Sequence, residues 1–226
     1  KKVELTDAQL PKNVLPILKP AAKDSTELTA TYIQEKRAKI DAFYKKNWPN
    51  NTMNGSLLVA QNGQIIYEKY NGLANLRDKD TITSETPLHI ASVSKVLTAT
   101  VILKLVNAKR LDLDQKVTTL LDRFPYPDVT VRTLLNHRSG IRNYSYFTDR
   151  KANIWDRHKT LTNQDLLDLM ATKNIGLEFR TDSRFAYCNT NYAMLALIIE
   201  KVTKLSYIEA MNKMLFQPLG MTHSFV

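Results

Sequence analysis

The stretch HIASVSKVLTATVILKL, residues 89–105, begins with two serines and a lysine and continues as an apolar run. In an α-helix, residues three apart share a face, whereas neighbours diverge by about 100°. Ser92 and Lys95 can therefore touch, whereas Ser94 and Lys95 point apart. The predicted helix, Ser92–Ala108, is apolar almost all round, so we expect it to be deeply buried, and desolvation would then favour a neutral amine on Lys95. A neutral amine beside a hydroxyl is a general base paired with a nucleophile.

Ser92 also lies at the start of the predicted helix. Free N–H groups and the helix dipole favour developing negative charge there, so Ser92 is a better candidate nucleophile than Ser94. A structural alternative is that Ser92 caps the helix while Lys95 extends to solvent. The S-x-x-K spacing alone favours that alternative, because a four-residue pattern is common by chance.

Composition indicates a soluble globular protein, with 43% hydrophobic and 24% charged residues in a chain of 226. The net charge of +10 comes from 32 Lys and Arg against 22 Asp and Glu. These basic residues are spread among acidic ones, and no zinc-finger, RNP or helix-turn-helix signature is present, so we predict a basic solvated surface and no nucleic-acid partner. No run approaches the roughly 18 apolar residues of a membrane span.

Metal and disulfide chemistry is not indicated. Cys188 is the only cysteine, so no internal disulfide can form. The four histidines lie far apart, without the i, i+4 spacing of a helical zinc site. We therefore predict no metal and no cofactor.

The chain divides into three regions. Residues 1–24 are polar and contain proline, which predicts an extended lead-in. Residues 25–88 read as the first part of a sheet region, with a helix at Ser25–Lys46 and two β-rich runs around Asn62-Gly63, a preferred hairpin turn. Residues 89–226 read as mainly helical and carry the candidate motifs. The predicted fold class is α+β, an antiparallel sheet with packed helices plus a helical region.

The predicted elements have the following bounds. The strands of the hairpin are Leu57–Ala60 and Ile65–Tyr70, and the helices after Ser92–Ala108 are Thr130–Asn136, Asn163–Thr172, Asn191–Lys204 and Tyr207–Phe216. Thr162 and Asp165 have capping-box spacing, and Pro218-Leu219-Gly220 is predicted to end the last helix.

Four blocks, HIASVSK, LLNHRSGI, FAYCNTNYAMLALIIEKVTKLSY and QPLGMTHSF, occur in this order. Together they resemble the serine β-lactamase and penicillin-binding protein superfamily over about residues 28–226. The resemblance is to the branch of class C β-lactamases, D-Ala-D-Ala carboxypeptidases and related esterases. It implies a β-lactamase/transpeptidase-like fold, and a Y-x-N motif that here is Tyr187-Cys188-Asn189.

The resemblance implies a role for each motif residue. Ser92 would attack a carbonyl and form an acyl-enzyme, with Lys95 and Tyr187 as proton-transfer groups. Asn189 would bind the substrate amide, and the Ser92 N–H would be one oxyanion donor. In extended backbone, residues i and i+2 face the same way, so Cys188 would turn into the scaffold. The structural alternatives are a core tyrosine and an asparagine that caps the following helix.

His137, within LLNHRSG, invites comparison with a catalytic triad. In the family this block resembles a structural turn, and the base role is already assigned to other residues. We therefore expect no catalytic role for His137.

One element of the family pattern is absent from this sequence. The third motif, K-T-G or H-x-G, lies in relatives well beyond the P-L-G-M block, and here the sequence stops six residues after Gly220. We expect the chain to be a fragment or one half of a cleaved pair, with a missing C-terminal segment that completes the fold. The hairpin should then show an unpaired edge and apolar surface.

The predicted function is a serine hydrolase that acylates on an amide or ester. The implied substrate is a β-lactam, another small molecule or a D-Ala-D-Ala peptide of peptidoglycan, in the bacterial periplasm or outside the cell. Three alternatives stay open: an esterase of the same fold, a non-catalytic penicillin-binding-like module, and a basic surface-binding protein.

Overall fold

The computed structural model describes residues 28–149, 154–156 and 158–226. The chain divides into two compact units, with the boundary between His89 and Ile90. The predicted lead-in, residues 1–24, lies outside the described residues, as do the first residues of the predicted helix Ser25–Lys46.

The unit before the boundary contains one helix and two small antiparallel sheets. Its elements are α1 (Ala30–Asn47), β1 (Gly55–Gln61), β2 (Gln64–Asn71), β3 (Leu73–Asn75) and β4 (Asp80–Thr81). β1 pairs with β2 as the predicted hairpin, and β3 pairs with β4. Asn62 and Gly63 both have positive φ angles, 52° and 76°, as the tight turn requires.

Helix α1 packs against β2. Arg37 Nε donates to the Ile66 carbonyl at 2.6 Å, and the Tyr67 hydroxyl donates to Asp41 at 3.1 Å. Tyr44 and Ile66 are almost fully buried between the helix and the hairpin. This arrangement is the predicted antiparallel sheet with a packed helix.

The unit from Ile90 to Val226 is helical. Its helices are α2 (Ser94–Asn107), α3 (Val131–Leu135), α4 (Tyr144–Phe147), α5 (Asn163–Thr172), α6 (Asn189–Thr203) and α7 (Tyr207–Met211). A π-helical turn, Asn212–Phe216, continues α7. Thr162 and Asp165 form the predicted capping box, and Gly220 adopts a left-handed φ of 64° after Leu219.

Helix α6 is the centre of the core in this unit. Four consecutive-turn side chains, Met194, Leu195, Ile198 and Ile199, have no solvent exposure. Helices α2, α3, α5 and α7 all pack against α6. No helix within the described residues is long and apolar enough to cross a membrane.

Helix α2 differs from the prediction in its start and its burial. It begins at Ser94, because residues Ala91–Val93 form a 3-10 turn. Its buried positions form a single stripe: Thr98, Val101, Ile102 and Leu105. Val93 and Val96 are 62% and 65% exposed. The expectation of burial all round is therefore wrong for the first turn, because the neighbouring helices cover one face of α2 only.

Candidate active site

Ser92, Lys95 and Tyr187 meet at the start of α2. Lys95 Nζ donates to Ser92 Oγ at 3.1 Å, and the Tyr187 hydroxyl donates to the same oxygen at 2.7 Å. Lys95 Nζ also lies 5.1 Å from the centre of the Tyr187 ring. The structure thus brings three of the predicted site residues together around one oxygen, while their catalytic roles stay predictions.

The backbone before α2 fixes the position of Ser92. Ala91 has a left-handed φ of 46°, a conformation that costs a non-glycine residue about 1–3 kcal/mol. The N-cap position of α2 is Val93, and no side chain caps it. Ser94 Oγ donates to the Ala91 carbonyl at 2.7 Å, so Ser94 belongs to the turn. The alternative in which Ser92 caps the helix is therefore wrong.

Lys95 lies beside two tyrosines, Tyr187 and Tyr192, whose phenol groups have different electrostatic environments. The pKa of the Tyr187 phenol is lowered, first by hydrogen bonding with Lys95 and then by the bond to Ser92. Tyr192 also lies beside Lys95 Nζ, 5.7 Å from its ring centre, but burial raises the pKa of its phenol. The Tyr192 hydroxyl donates to the Leu135 carbonyl at 3.2 Å. Lys95 therefore favours ionisation of Tyr187, whereas burial opposes ionisation of Tyr192.

Cys188 separates the two residues of the Y-x-N motif. Its backbone is extended, with φ −143° and ψ 119°. The thiol is buried, and Sγ donates to the Ile141 carbonyl at 3.2 Å. Cys188 therefore turns into the scaffold, as the alternation predicts, while the neighbouring Tyr187 is 49% exposed.

Asn189 is the first residue of α6. Its Oδ1 is buried and has no hydrogen-bond partner among the described residues. The N-cap residue of α6 is Cys188, so Asn189 is not the cap that the structural alternative requires. A buried acceptor without a partner suits a residue that receives a donor from a ligand. Within the described residues, no group of three or more His, Cys, Asp or Glu side chains could hold a metal ion.

Four consecutive carbonyls hold the loop that leads to Tyr187. They belong to residues 137–140, the HRSG block. They accept, in chain order, from Ala186 N–H at 2.9 Å, Asp182 N–H at 2.8 Å, Thr181 Oγ1 at 2.8 Å and Glu178 N–H at 2.8 Å. The order is antiparallel, so the HRSG block pairs with the loop at residues 178–186 and fixes its backbone. This agrees with the expectation that the block is structural.

Gly140 permits the closest approach between these two segments. It has a φ of 80°, and a Cβ built on it would lie 2.1 Å from the Phe179 carbonyl oxygen. Both the dihedral angle and the space therefore require glycine at this position.

His137 lies against Tyr187, a contact that no local pattern in the sequence predicts. Its ring centre is 4.6 Å from that of Tyr187, 5.3 Å from that of Tyr192 and 5.9 Å from that of Phe185. Its Nδ1 accepts the Cys188 N–H at 3.1 Å. The contact joins residues about fifty positions apart, and only a structure reveals it.

The Beta-lactamase family model matches residues 42–226. Penicillin-binding protein 4* of Bacillus subtilis is 33% identical over 195 residues, which are 85% of this chain and 42% of that protein. A D-aminopeptidase of Brucella anthropi is 32% identical over 172 residues, or 74% of this chain and 31% of that protein.

A solved structure shows the same fold. The penicillin binding protein from Bacillus halodurans aligns with a TM-score of 0.70 and 27% identity, over 81% of this chain and 55% of that one. The chain spans less than half the length of the curated relatives it matches. The fold is thus of the β-lactamase/transpeptidase type, with small antiparallel sheets and a mainly helical unit. The match over residues 42–226 means that the chain belongs to the β-lactamase family.

Proposed function

We propose that this chain carries the nucleophile of a serine hydrolase that forms an acyl-enzyme on an amide or ester carbonyl. One observation carries the proposal: a lysine ammonium and a tyrosine phenol both donate to Ser92 Oγ, at 3.1 Å and 2.7 Å. Ser92, Lys95 and Tyr187 are the proposed catalytic residues. The family membership and the similarity to a penicillin-binding protein and a D-aminopeptidase support a β-lactam or D-Ala-D-Ala peptide substrate.

Acylation needs a base for the Ser92 proton. Tyr187 now donates to Ser92 Oγ, but a phenolate at the same position would accept the Ser92 proton instead. Lys95 favours that phenolate, because a nearby cation stabilises the charged form. Ser92 Oγ then forms a bond to the carbonyl carbon and gives its proton to Tyr187. The carbon–nitrogen or carbon–oxygen bond breaks, and Tyr187 passes the proton to the leaving atom.

Deacylation reverses these roles. Tyr187, again without its proton, takes one from water, and the hydroxyl oxygen attacks the ester carbon. The bond between that carbon and Ser92 Oγ breaks, Ser92 regains a proton and the carboxylic acid leaves. In this scheme Lys95 transfers no proton, and it serves both half-reactions by holding Ser92 and Tyr187 in hydrogen-bonding position.

Asn189 is the proposed substrate-binding residue. Asn189 is two residues from Tyr187, and its buried Oδ1 accepts no hydrogen bond from the part of the chain that the structure describes. An amide N–H of the substrate would satisfy this acceptor. The Ser92 N–H is proposed as an oxyanion donor, a kind of group typically worth about 10²- to 10³-fold in rate. A peptidoglycan substrate would place the protein in the periplasm or outside the cell.

The test is intact-mass spectrometry after incubation with three acyl donors: a fluorescent penicillin, D-alanine p-nitroanilide and p-nitrophenyl acetate. Wild type, Ser92→Ala and Ser94→Ala are compared. Ser94→Ala is the matched control, because it removes a hydroxyl from the same turn whose bond goes to the Ala91 carbonyl. We expect a single adduct on wild type and on Ser94→Ala, and none on Ser92→Ala.

The pattern of donors identifies the substrate class. An adduct with penicillin or the anilide supports amide chemistry, whereas an adduct with the ester alone favours the esterase. An adduct that survives in Ser92→Ala would overturn the assignment of the nucleophile. No adduct with any donor, together with no release of p-nitroaniline or p-nitrophenol, would contradict the hydrolase proposal for this chain and favour a non-catalytic module.

A further inference from the structure

We propose that His137 is a positioning residue for Tyr187: its neutral imidazole holds the phenol over Ser92, and protonation of the ring releases it. The proposal rests on the proposed function, in which Tyr187 transfers the Ser92 proton. His137 touches neither Ser92 nor any reacting atom in this proposal, and acts only through Tyr187.

His137 accepts hydrogen bonds from both peptide groups beside Tyr187. Its carbonyl accepts the Ala186 N–H at 2.9 Å, and its ring Nδ1 accepts the Cys188 N–H at 3.1 Å. One residue therefore fixes the chain immediately before and immediately after Tyr187. The left-handed backbone of His137, with φ 58°, places its carbonyl and ring so that both bonds form.

The bond to the Cys188 N–H depends on the protonation state of the His137 imidazole. An imidazole nitrogen that accepts a backbone N–H carries no proton, so neutral His137 has its proton on Nε2. A doubly protonated ring would turn an Nδ1–H donor toward the Cys188 N–H donor. The hydrogen bond after Tyr187 would then be lost. The bond from Ala186 to the His137 carbonyl would remain.

The His137 ring is also coupled to Tyr187 by packing. It lies against Tyr187, with 4.6 Å between ring centres and 36° between planes, and its centre is 5.3 Å from that of Tyr192 on α6. A displacement of the imidazole would therefore reach the phenol directly. Because a misplacement of about 1 Å at a reacting group can cost about 100-fold in rate, a small shift would be measurable.

The surroundings of the ring oppose protonation. The titratable groups in contact with it or acting on it are Lys95 on α2, Tyr187 and Cys188 before α6, and Tyr192 on α6. The paired loop also carries charged groups, which are Glu178, Arg180, Asp182 and Arg184. Its acid Asp182 forms an ion pair with Arg138. Burial, and then the charge of Lys95, hold the pKa of His137 below its ordinary value. The neutral ring therefore predominates at neutral pH, and its bond to the Cys188 N–H is lost only in more acidic solution.

Two variants separate the two contacts of the ring. His137→Asn keeps a side-chain acceptor near the position of Nδ1 and tolerates the left-handed backbone, but removes the ring face. His137→Phe keeps a ring against Tyr187 but leaves the Cys188 N–H without its acceptor. Neither side chain titrates. His158→Asn is the control, because it removes an exposed histidine from the same unit.

The first measurement is the acylation rate constant and the affinity of the prior complex from pH 4.5 to 8. The fluorescent penicillin is used, or p-nitrophenyl acetate if only the ester labels Ser92. For wild type and His158→Asn we expect an additional acid loss of rate at a pH below the ordinary histidine value of about 6.5, because the pKa of His137 is lowered. For His137→Asn and His137→Phe we expect rates at pH 7.5 about 10- to 100-fold lower and affinities within about threefold. Their rates should follow only the protonation of Tyr187, without the additional acid loss.

The second measurement needs no catalysis. Nuclear magnetic resonance of the wild type follows the imidazole nitrogens of His137 and the Cys188 amide through the same pH range. We expect an Nε2–H tautomer at pH 7.5 and a Cys188 amide that titrates together with His137. An Nδ1–H tautomer, or a Cys188 amide that ignores the His137 titration, would overturn the proposal.

The two proposals fail differently. If wild type forms no Ser92-dependent adduct while Cys188 follows His137, the hydrolase proposal fails and the hold on the Tyr187 segment stands. If wild type is acylated and the His137 variants match its rate and pH profile, the positioning role is wrong and the hydrolase proposal stands.

Discussion

The Tyr187 phenol donates to Ser92 Oγ across 2.7 Å, although the two residues are 95 positions apart in the chain. Each partner is held by its own segment: Ser92 by the turn before α2, and Tyr187 by the loop that pairs with the HRSG block. Either side chain can therefore be changed without removing the backbone contacts that position the other. This independence makes single substitutions at the site informative.

Tyr187→Phe removes the hydroxyl and keeps the ring that packs on His137. We expect the acylation rate at pH 7 to fall about 10²- to 10⁴-fold, the usual contribution of a general acid–base group. Because the hydroxyl is at an exposed site, thermal stability should stay close to that of wild type. Stopped-flow labelling and thermal unfolding of the same preparation measure both. A rate within a few fold of wild type would remove Tyr187 from the mechanism.

Lys95→Met removes the cation and keeps most of the side-chain length. Since Lys95 lowers the pKa of Tyr187, its loss should raise that pKa and reduce the phenolate at any given pH. The rise of acylation rate with pH should therefore move to more alkaline pH, with a lower rate at neutrality. Lys104→Met, nine residues further along α2, is the control and should leave the profile in place. An unmoved profile in Lys95→Met would contradict this assignment.

Gly140→Ala tests the pairing between the HRSG block and the loop at residues 178–186. The new Cβ would meet the Phe179 carbonyl oxygen, and φ 80° is strained for alanine. We expect lower stability by about 1–3 kcal/mol in urea unfolding, and slower acylation, because the loop at 178–186 carries Tyr187. Gly176→Ala is the matched control, because its Cβ would meet nothing within 4 Å. Equal stability of the two variants would show that the loop shifts at no cost.

Cys188 should react slowly with iodoacetamide in the folded protein. The thiol is 4% exposed, and burial raises its pKa, so little thiolate is available to react. Labelling at pH 8, followed by intact mass, should be at least about 100-fold faster in denaturant. Since Cys188 is the only cysteine, the mass change is unambiguous. Rapid labelling of the folded protein would indicate that the segment after Tyr187 opens readily.

The sequence predicts those parts of the fold that depend on neighbours in the chain. The Asn62-Gly63 turn, the Thr162–Asp165 capping box and the Ser92–Lys95 contact each involve residues within three positions, and all are observed. Local pattern says less about burial. Val93 and Val96 are apolar yet exposed, because only the neighbouring helices decide which face of α2 is covered.

The candidate site likewise combines contacts that local pattern predicts with contacts that only the fold brings together. Tyr187 entered the predicted site only through resemblance to a family, since no local rule joins it to Ser92. His137 was given a structural role, and its contact with the Tyr187 ring depends on a pairing between two loops. Such pairing leaves no periodicity in the sequence. It is set by backbone carbonyls and one left-handed residue, which side-chain patterns do not report.

The pairing between the HRSG block and the loop at 178–186 also determines how this protein can be recombined with its relatives. Four carbonyls in a row receive four donors in reverse order, so a length change in either segment shifts every partner beyond it. A chimera that imports the Tyr187 loop alone would not pair correctly with the HRSG block of the host protein. A chimera that imports residues 137–140 and 178–189 together carries the pairing with it. These two stretches, some forty residues apart, form a single exchangeable module.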